Sequence, residues 1–198
     1  MYGDIIKIIP FIPVLNGNMV SAEGSGYKKL GNAVKTVESS KYETFYVIDV
    51  NGLLKNKPQI NLIQDMSKGK NLWVESGVRL AEDAIDVLMA GAEYAVLNTM
   101  LVDLDELKKI CGLSQNIMLH VECKNNRIHG MNIEYFINKA EEIGIKKFVM
   151  ESRDYWAMKT IPKNVEAYVF GKKDEVKKLE ASGATGVLLD IQGLDEST

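Results

Sequence analysis

Apolar residues recur along this chain in short runs that alternate with stretches of helical spacing. The succession is complete in residues 72–99. Leu72-Trp73-Val74-Glu75 is a short run stopped by Ser76-Gly77. Apolar side chains then return at Leu80, Ala81, Ala84, Ile85, Leu88 and Met89, and Ala95-Val96-Leu97 forms a second short run before Asn98-Thr99. A short apolar run, then 3.6 spacing, then another short run reads as strand, helix, strand. Gly91 stands where a helix C-terminus favours a left-handed residue. A crossover of this length makes the flanking strands parallel and the connection right-handed.

The same unit recurs. Strands are predicted at 5–15, 44–52, 116–124, 147–151, 166–170 and 186–191, the first interrupted by Pro10 and Pro13 and followed by an Asn16-Gly17 turn. Helices are predicted at 32–39, 60–66, 103–110, 132–143 and 174–181, two of them closed by Gly144 and Gly183. Eight strand–helix steps point to a closed parallel barrel rather than an open sheet. Such barrels usually take about 250 residues, and this chain has 198. The sixth helix must fit into 155–164, which contains Pro162, and only 193–198 follows the eighth strand. The expectation is one domain over 1–198, a trimmed (βα)8 TIM barrel with short or missing sixth and eighth helices. Bare apolar strand faces are unfavourable in water, so a homo-oligomer is expected; gel filtration as a strict monomer would contradict it.

Composition narrows the function. A net charge of −3 opposes a nucleic-acid footprint, which needs clustered positive charge. No apolar run approaches the roughly 20 residues that span a bilayer, and Met1-Tyr2-Gly3-Asp4 lacks a basic signal-like start. A cytoplasmic protein without membrane partners is expected. Cys111 and Cys123 have no metal-ligand spacing and read as reduced thiols. No cofactor motif is present, and no cofactor or dedicated metal is expected.

Working residues of βα barrels lie at the C-terminal ends of the strands. Carboxylates fall at several of these ends: Asp49, Glu75, Glu122, Glu151 or Asp154, and Asp190. Crowded on one rim they raise one another's pKa toward the range useful for proton transfer. On the fifth strand, Ile117, Leu119, Val121 and Cys123 share an apolar face, so Met118, His120, Glu122 and Lys124 are expected to point into the barrel. His120, the deeper, reads as part of a satisfied polar layer. Glu122, nearer the rim, reads as a candidate general acid or base, with Asp49 or Asp154 as its counterpart and Lys124 steadying negative charge. Ser76-Gly77 and Asn98-Thr99 end adjacent strands, where hydroxyls and backbone N–H groups can hold a phosphate or simply cap helices.

These residues together resemble a family, the histidine-biosynthesis barrels: the ribonucleotide isomerase and its cyclase-subunit relative, the HisA/HisF group of phosphate-binding βα barrels. Ile9-Pro10-Phe11-Ile12-Pro13-Val14-Leu15-Asn16-Gly17-Asn18-Met19-Val20 is similar to the family's opening Ile-Pro-x-Ile-Asp-Leu-x-x-Gly-x-x-Val. Val47-Ile48-Asp49-Val50-Asn51-Gly52 with Lys57-Pro58-Gln59-Ile60-Asn61 resembles the second strand and its Gly-x-Pro-x-Asn loop. Residues 73–83 resemble the Val-Gly-Gly-Gly-Ile-Arg-x-x-Glu-Asp block, and Asn98-Thr99 stands at its Gly-Thr. The departures are as specific. The family's first-strand catalytic aspartate is Pro13, the first glycine of the phosphate loop is Glu75, and the loop after the seventh strand reads Phe170-Gly171-Lys172-Lys173. The glycine ending the eighth strand is Asp190, the fifth-strand aspartate is Glu122, and the sixth-strand Thr-Asp-x-Asp region reads Glu151-Ser152-Arg153-Asp154.

The resemblance implies the ancestral fold without the ancestral reaction. One reading is an isomerase- or lyase-type enzyme acting on a small phosphorylated or anionic metabolite, with phosphate held on the Ser76, Gly77, Asn98 and Thr99 side and Lys172 and Lys173 adding positive charge opposite. The other is a non-catalytic barrel kept as a binding or scaffold subunit. The acidic rim can alternatively attract a divalent cation, since oxygen ligands suit magnesium and calcium.

Overall fold

In a computed structural model, which describes residues 6–153, 156, 159 and 161–195, the apolar runs close into a barrel. Its staves are β1 (Lys7–Leu15), β4 (Thr44–Asp49), β5 (Asn71–Glu75), β6 (Tyr94–Asn98), β7 (Ile117–Val121), β10 (Lys147–Glu151), β11 (Glu166–Phe170) and β12 (Gly186–Asp190). Each pairs in parallel with the next, and β12 returns to β1 with Lys7 opposite Gly186 and Phe11 opposite Asp190. Pro10 and Pro13 do not interrupt β1. Each removes one ladder donor, but β1 is held on both sides, by β12 and β4, and the strand runs through.

Helices α1 (Ala33–Ser39), α2 (Val50–Lys55), α3 (Ile60–Met66), α4 (Ala81–Met89), α5 (Leu104–Leu113), α6 (Ile133–Ile143), α7 (Val176–Ala181) and α8 (Ile191–Asp195) lie between the strands. Their starts are set by short polar side chains. Asn32 accepts from Lys35 N, Asp103 from Glu106 N, Asn132 from Glu134 N, and Asp83 from the N–H groups of Arg79 and Leu80. The predicted strand 44–52 ends early because Asp49 caps α2. The eighth step does carry a helix: the strand stops at Asp190, and α8 takes the five residues that follow. Between β10 and β11, Ser152, Arg153, Trp156 and Lys159 are 3₁₀ positions; residues 154, 155, 157, 158 and 160, on which the predicted sixth helix partly falls, lie outside the described residues. No helix among the described residues is long and apolar enough to cross a membrane.

Two hairpins were not legible in the apolar pattern. β2 (Asn18–Glu23) and β3 (Gly26–Asn32) continue the sheet antiparallel from β1, with a register shift at Met19/Val20. β8 (Arg127–Ile128) and β9 (Met131–Asn132) form a small ribbon after β7. Most of their residues are exposed, so no alternating apolar face announces them.

The core has two layers, as a closed barrel requires. The larger lies between staves and helices, and includes Phe45, Leu72, Leu97, Leu107, Phe136 and Phe148. The smaller fills the barrel axis with Ile9, Tyr46, Trp73, Val96, Met118, Val149, Tyr168 and Leu188. Aromatic rings meet edge to face across it: Trp73 and Tyr168 lie 4.7 Å apart, and Phe170 packs 5.2 Å from both Phe11 and Tyr46. At the N-terminal end Lys147, Glu166 and Tyr168 form a hydrogen-bonded plug. The axis is thus filled through its middle, with a smaller cavity of about 450 Å³ below, beside Ile9, Trp73 and Tyr168, and a larger one above.

Candidate active site

Above this aromatic floor, at the C-terminal ends of the staves, lies a cavity of about 700 Å³. Alternation along the strands selects its lining: Glu75 follows Trp73 on the inner face of β5, Asn98 follows Val96 on β6, and His120 follows Met118 on β7. Glu122, Glu151, Phe170, Lys172 and Asp190 are among the residues of its walls.

Its floor is a buried couple. Glu75 is 3% and His120 4% exposed. His120 Nδ1 lies 3.0 and 3.1 Å from the two carboxylate oxygens of Glu75. Tyr46 Oη donates to Glu75 Oε2 at 2.7 Å and Asn98 Nδ2 to Oε1 at 2.9 Å. An ionised carboxylate accepts only, so Nδ1 carries a proton. Burial alone pushes Glu75 up. The His120 charge and hydrogen bond, with the Asn98 and Tyr46 hydrogen bonds, outweigh it and leave Glu75 below the usual carboxylate range. Burial likewise pulls His120 down; Glu75, then Glu122 and Glu151, overcome that and hold the imidazole above its ordinary value. Tyr46 is raised well above a free phenol, by burial first and Glu75 second, and remains a donor. The expected mutual raising of rim carboxylates is therefore reversed at Glu75, because a cation sits beside it.

The other imidazole nitrogen is different. His120 Nε2 is buried and has no hydrogen-bond partner. It points toward Glu151, whose Oε1 is 4.0 Å away. Ligand atoms of His120, Glu122 and Glu151 lie within 4.8 Å of one another. The satisfied polar layer expected at His120 is thus satisfied on one nitrogen only.

The remaining predicted residues fall in different places. Glu122 lines the cavity, positioned by Thr99: Thr99 Oγ1 donates to the Glu122 carbonyl at 2.7 Å and accepts from the Glu122 N–H at 2.9 Å. Thr99→Val removes both contacts and leaves two backbone groups unpaired. A loss of about 1–3 kcal/mol in urea denaturation is expected, with weakened function at Glu122. Lys124 does not follow Glu122 into the barrel. β7 ends at Val121, and Lys124 turns outward to bridge with Arg127, where it is exposed. Asp49 is fully buried outside the cavity lining. Its carboxylate accepts from Gly52 N, Gln59 N and Gln59 Nε2, so it joins α2 to the following loop. Asp154 lies outside the described residues.

On the expected phosphate side, Asn98 lines the cavity, but its amide is engaged with Glu75 and with Met100 N. Ser76 and Gly77 lie under α2 rather than on the cavity wall, because Gly52 packs its backbone directly onto theirs. Of the two carboxylates at the end of the sixth stave, Glu151 lies on the inward face of β10 and lines the cavity. The Glu75–His120 pairing had a usable signal: both occupy the last inward positions of their strands.

A model of the histidine biosynthesis protein family matches residues 7–167. None of the curated proteins compared with the chain matches it. The match spans six of the eight staves in full, β1 to β10, reaches into β11, and covers the whole of the buried couple. By its sequence match and its closed parallel barrel, the chain belongs to the HisA/HisF family of histidine-biosynthesis barrels.

Proposed function

We propose that the mouth cavity is the active site of an isomerase- or lyase-type enzyme that moves protons on a small anionic metabolite, distinct from the histidine-pathway isomerase. The observation that carries this reading is the half-satisfied His120. A buried Glu75 fixes one ring nitrogen while the other faces an open cavity beside Glu122 and Glu151. Burying such a pair is costly, and a purely structural layer would have filled both nitrogens. Perturbed titratable groups converging on a cleft mark functional sites.

In this reading Glu122 takes a proton from the carbon beside a substrate carbonyl. His120, protonated at Nε2, steadies the negative charge that develops on the oxygen. Thr99 fixes the backbone of Glu122, and Phe11 and Phe170 supply an apolar wall. Lys172 is the lysine of the lining and the natural contact for a substrate phosphate or carboxylate. The buried Ser76 and the engaged Thr99 and Asn98 make the opposite side a poorer phosphate receptor.

A thermal-shift screen against sugar phosphates, ribose phosphates, 2-oxo acids and inorganic phosphate tests the binding half of this reading. A ligand at a hundred times its Kd adds about 2.7 kcal/mol. At least one organic anion is expected to raise the Tm of the wild type and to lose that effect in Lys172→Glu. Silence across the panel from a folded protein favours the scaffold reading.

A further inference from the structure

We infer that His120, Glu122 and Glu151 form a binding site for one divalent transition-metal ion at the floor of the mouth cavity. Three side chains of ligating type, from the ends of β7 and β10, place one ligand atom each within 4.8 Å of the others. An acidic cluster alone would say little. Here a histidine only 4% exposed turns an unpartnered Nε2 into the cluster. A buried nitrogen without a partner needs a proton acceptor or a Lewis acid opposite it.

The surroundings match what a metal-bound imidazole requires. Metal-ligating histidines donate their other ring N–H to a carboxylate, which fixes the ring and raises its basicity. Glu75 takes that position at 3.0 Å from Nδ1, and is itself fixed by Tyr46 and Asn98. The ligand triangle is wider than the roughly 3.4 Å between ligands of a tetrahedral ion with bonds near 2.1 Å. Rotation of the Glu122 and Glu151 side chains closes it, since both are only partly buried. One imidazole with two carboxylates suits manganese, iron or zinc better than calcium. Three protein ligands leave positions open to the cavity, as in catalytic rather than structural sites.

The inference rests on the reading of the cavity as an active site and revises one role in it. With a metal bound, Nε2 gives up its proton, the dication steadies the developing negative charge in place of the imidazolium, and the second carboxylate oxygen of Glu122 is left to take the substrate proton. The lining holds Glu75, Glu122, Glu151, Glu175 and Asp190 against Lys172 and His120, a balance that repels an anion. A bound dication offsets that excess and presents open positions to a substrate carboxylate, phosphate or enediolate oxygen. The substrate class is thus an anion with an oxygen donor able to reach the metal.

The test is metal binding by the full chain without substrate. After chelation and buffer exchange, titration with Mn²⁺ or Zn²⁺ by calorimetry is expected to show one saturable site per chain. Glu151→Gln and Glu122→Gln, both partly exposed and compatible with folding, are each expected to weaken it by more than the ten- to hundredfold typical of outer-sphere partners. No saturable binding to folded wild type, or binding unchanged in both variants, overturns the site. Proton-exchange activity measured in parallel keeps the two ideas apart. Activity that survives exhaustive chelation, with no metal bound, removes the metal and leaves the enzyme; metal bound without activity does the reverse.

Discussion

Glu75→Ala lowers the folding stability by about 3–5 kcal/mol at pH 6, the range for removing one partner of a buried ion pair. The substitution leaves the His120 imidazolium, the Tyr46 hydroxyl and the Asn98 amide without their common acceptor inside the barrel. Chemical denaturation measures the loss. A double variant, Glu75→Leu with His120→Phe, recovers much of it, because replacing both members of a buried pair by apolar groups is often neutral.

The pH dependence has a definite sign. The His120 pKa is raised in the fold, so its contribution is fully present below the unfolded value, near 6.5, and is lost as pH rises through the folded one. The Glu75 pKa is lowered, so its contribution is present above the unfolded value, near 4.3, and is lost as pH falls through the folded one. With a chelator present, the difference between wild type and Glu75→Ala is therefore greatest between about pH 4.5 and 6.5, and shrinks on either side.

Gly52→Ala is the second large effect, at least about 3 kcal/mol destabilising. A Cβ at Gly52 would lie 2.0 Å from the Ser76 carbonyl oxygen, and one at Gly77 would lie 2.7 Å from the Gly52 carbonyl oxygen. These are backbone atoms that no rotamer change can move. Relief requires separating α2 from the loop after β5, beyond the usual 1–3 kcal/mol of overpacking. Gly112 is the control. It lies in α5 with nothing near its would-be Cβ, and Gly112→Ala is expected to stabilise by about 0.5–1 kcal/mol. Thermal melts of the two variants should move in opposite directions.

The barrel was legible because its staves are buried on both faces and its helices on one, which writes short unbroken apolar runs for the staves and a 3.6 period for the helices. The same logic placed His120 and Glu122 in the barrel. It failed at Lys124, because alternation predicts a direction only while the ladder continues; β7 pairs with β10 as far as Val121 and Met150, and the chain then turns. It misassigned Asp49 because a carboxylate at a strand end that caps the next helix looks, in sequence, like one at a catalytic rim. Glu75 stood out as one of the strand-end carboxylates and as a lost glycine of a phosphate loop, not as a partner of His120. Its partnership with His120, 45 positions away, joins β5 and β7 across the intervening β6, and follows from barrel closure and inward position rather than from local spacing. The close packing of Gly52 on Ser76 was equally invisible, since it joins a helix and a loop of different units.

Proton exchange in D₂O tests the enzymatic claim most directly, because it requires no knowledge of the product. Wild-type protein is incubated with aldose and ketose phosphates and 2-oxo acids, with and without added Mn²⁺, and the signal of the C–H beside the carbonyl is followed by proton NMR. The account predicts loss of that signal for at least one anionic substrate, slowed on the order of 10²–10⁴-fold in Glu122→Gln, the usual worth of a positioned base. No exchange with any member of the panel, or exchange undiminished in Glu122→Gln, would contradict it.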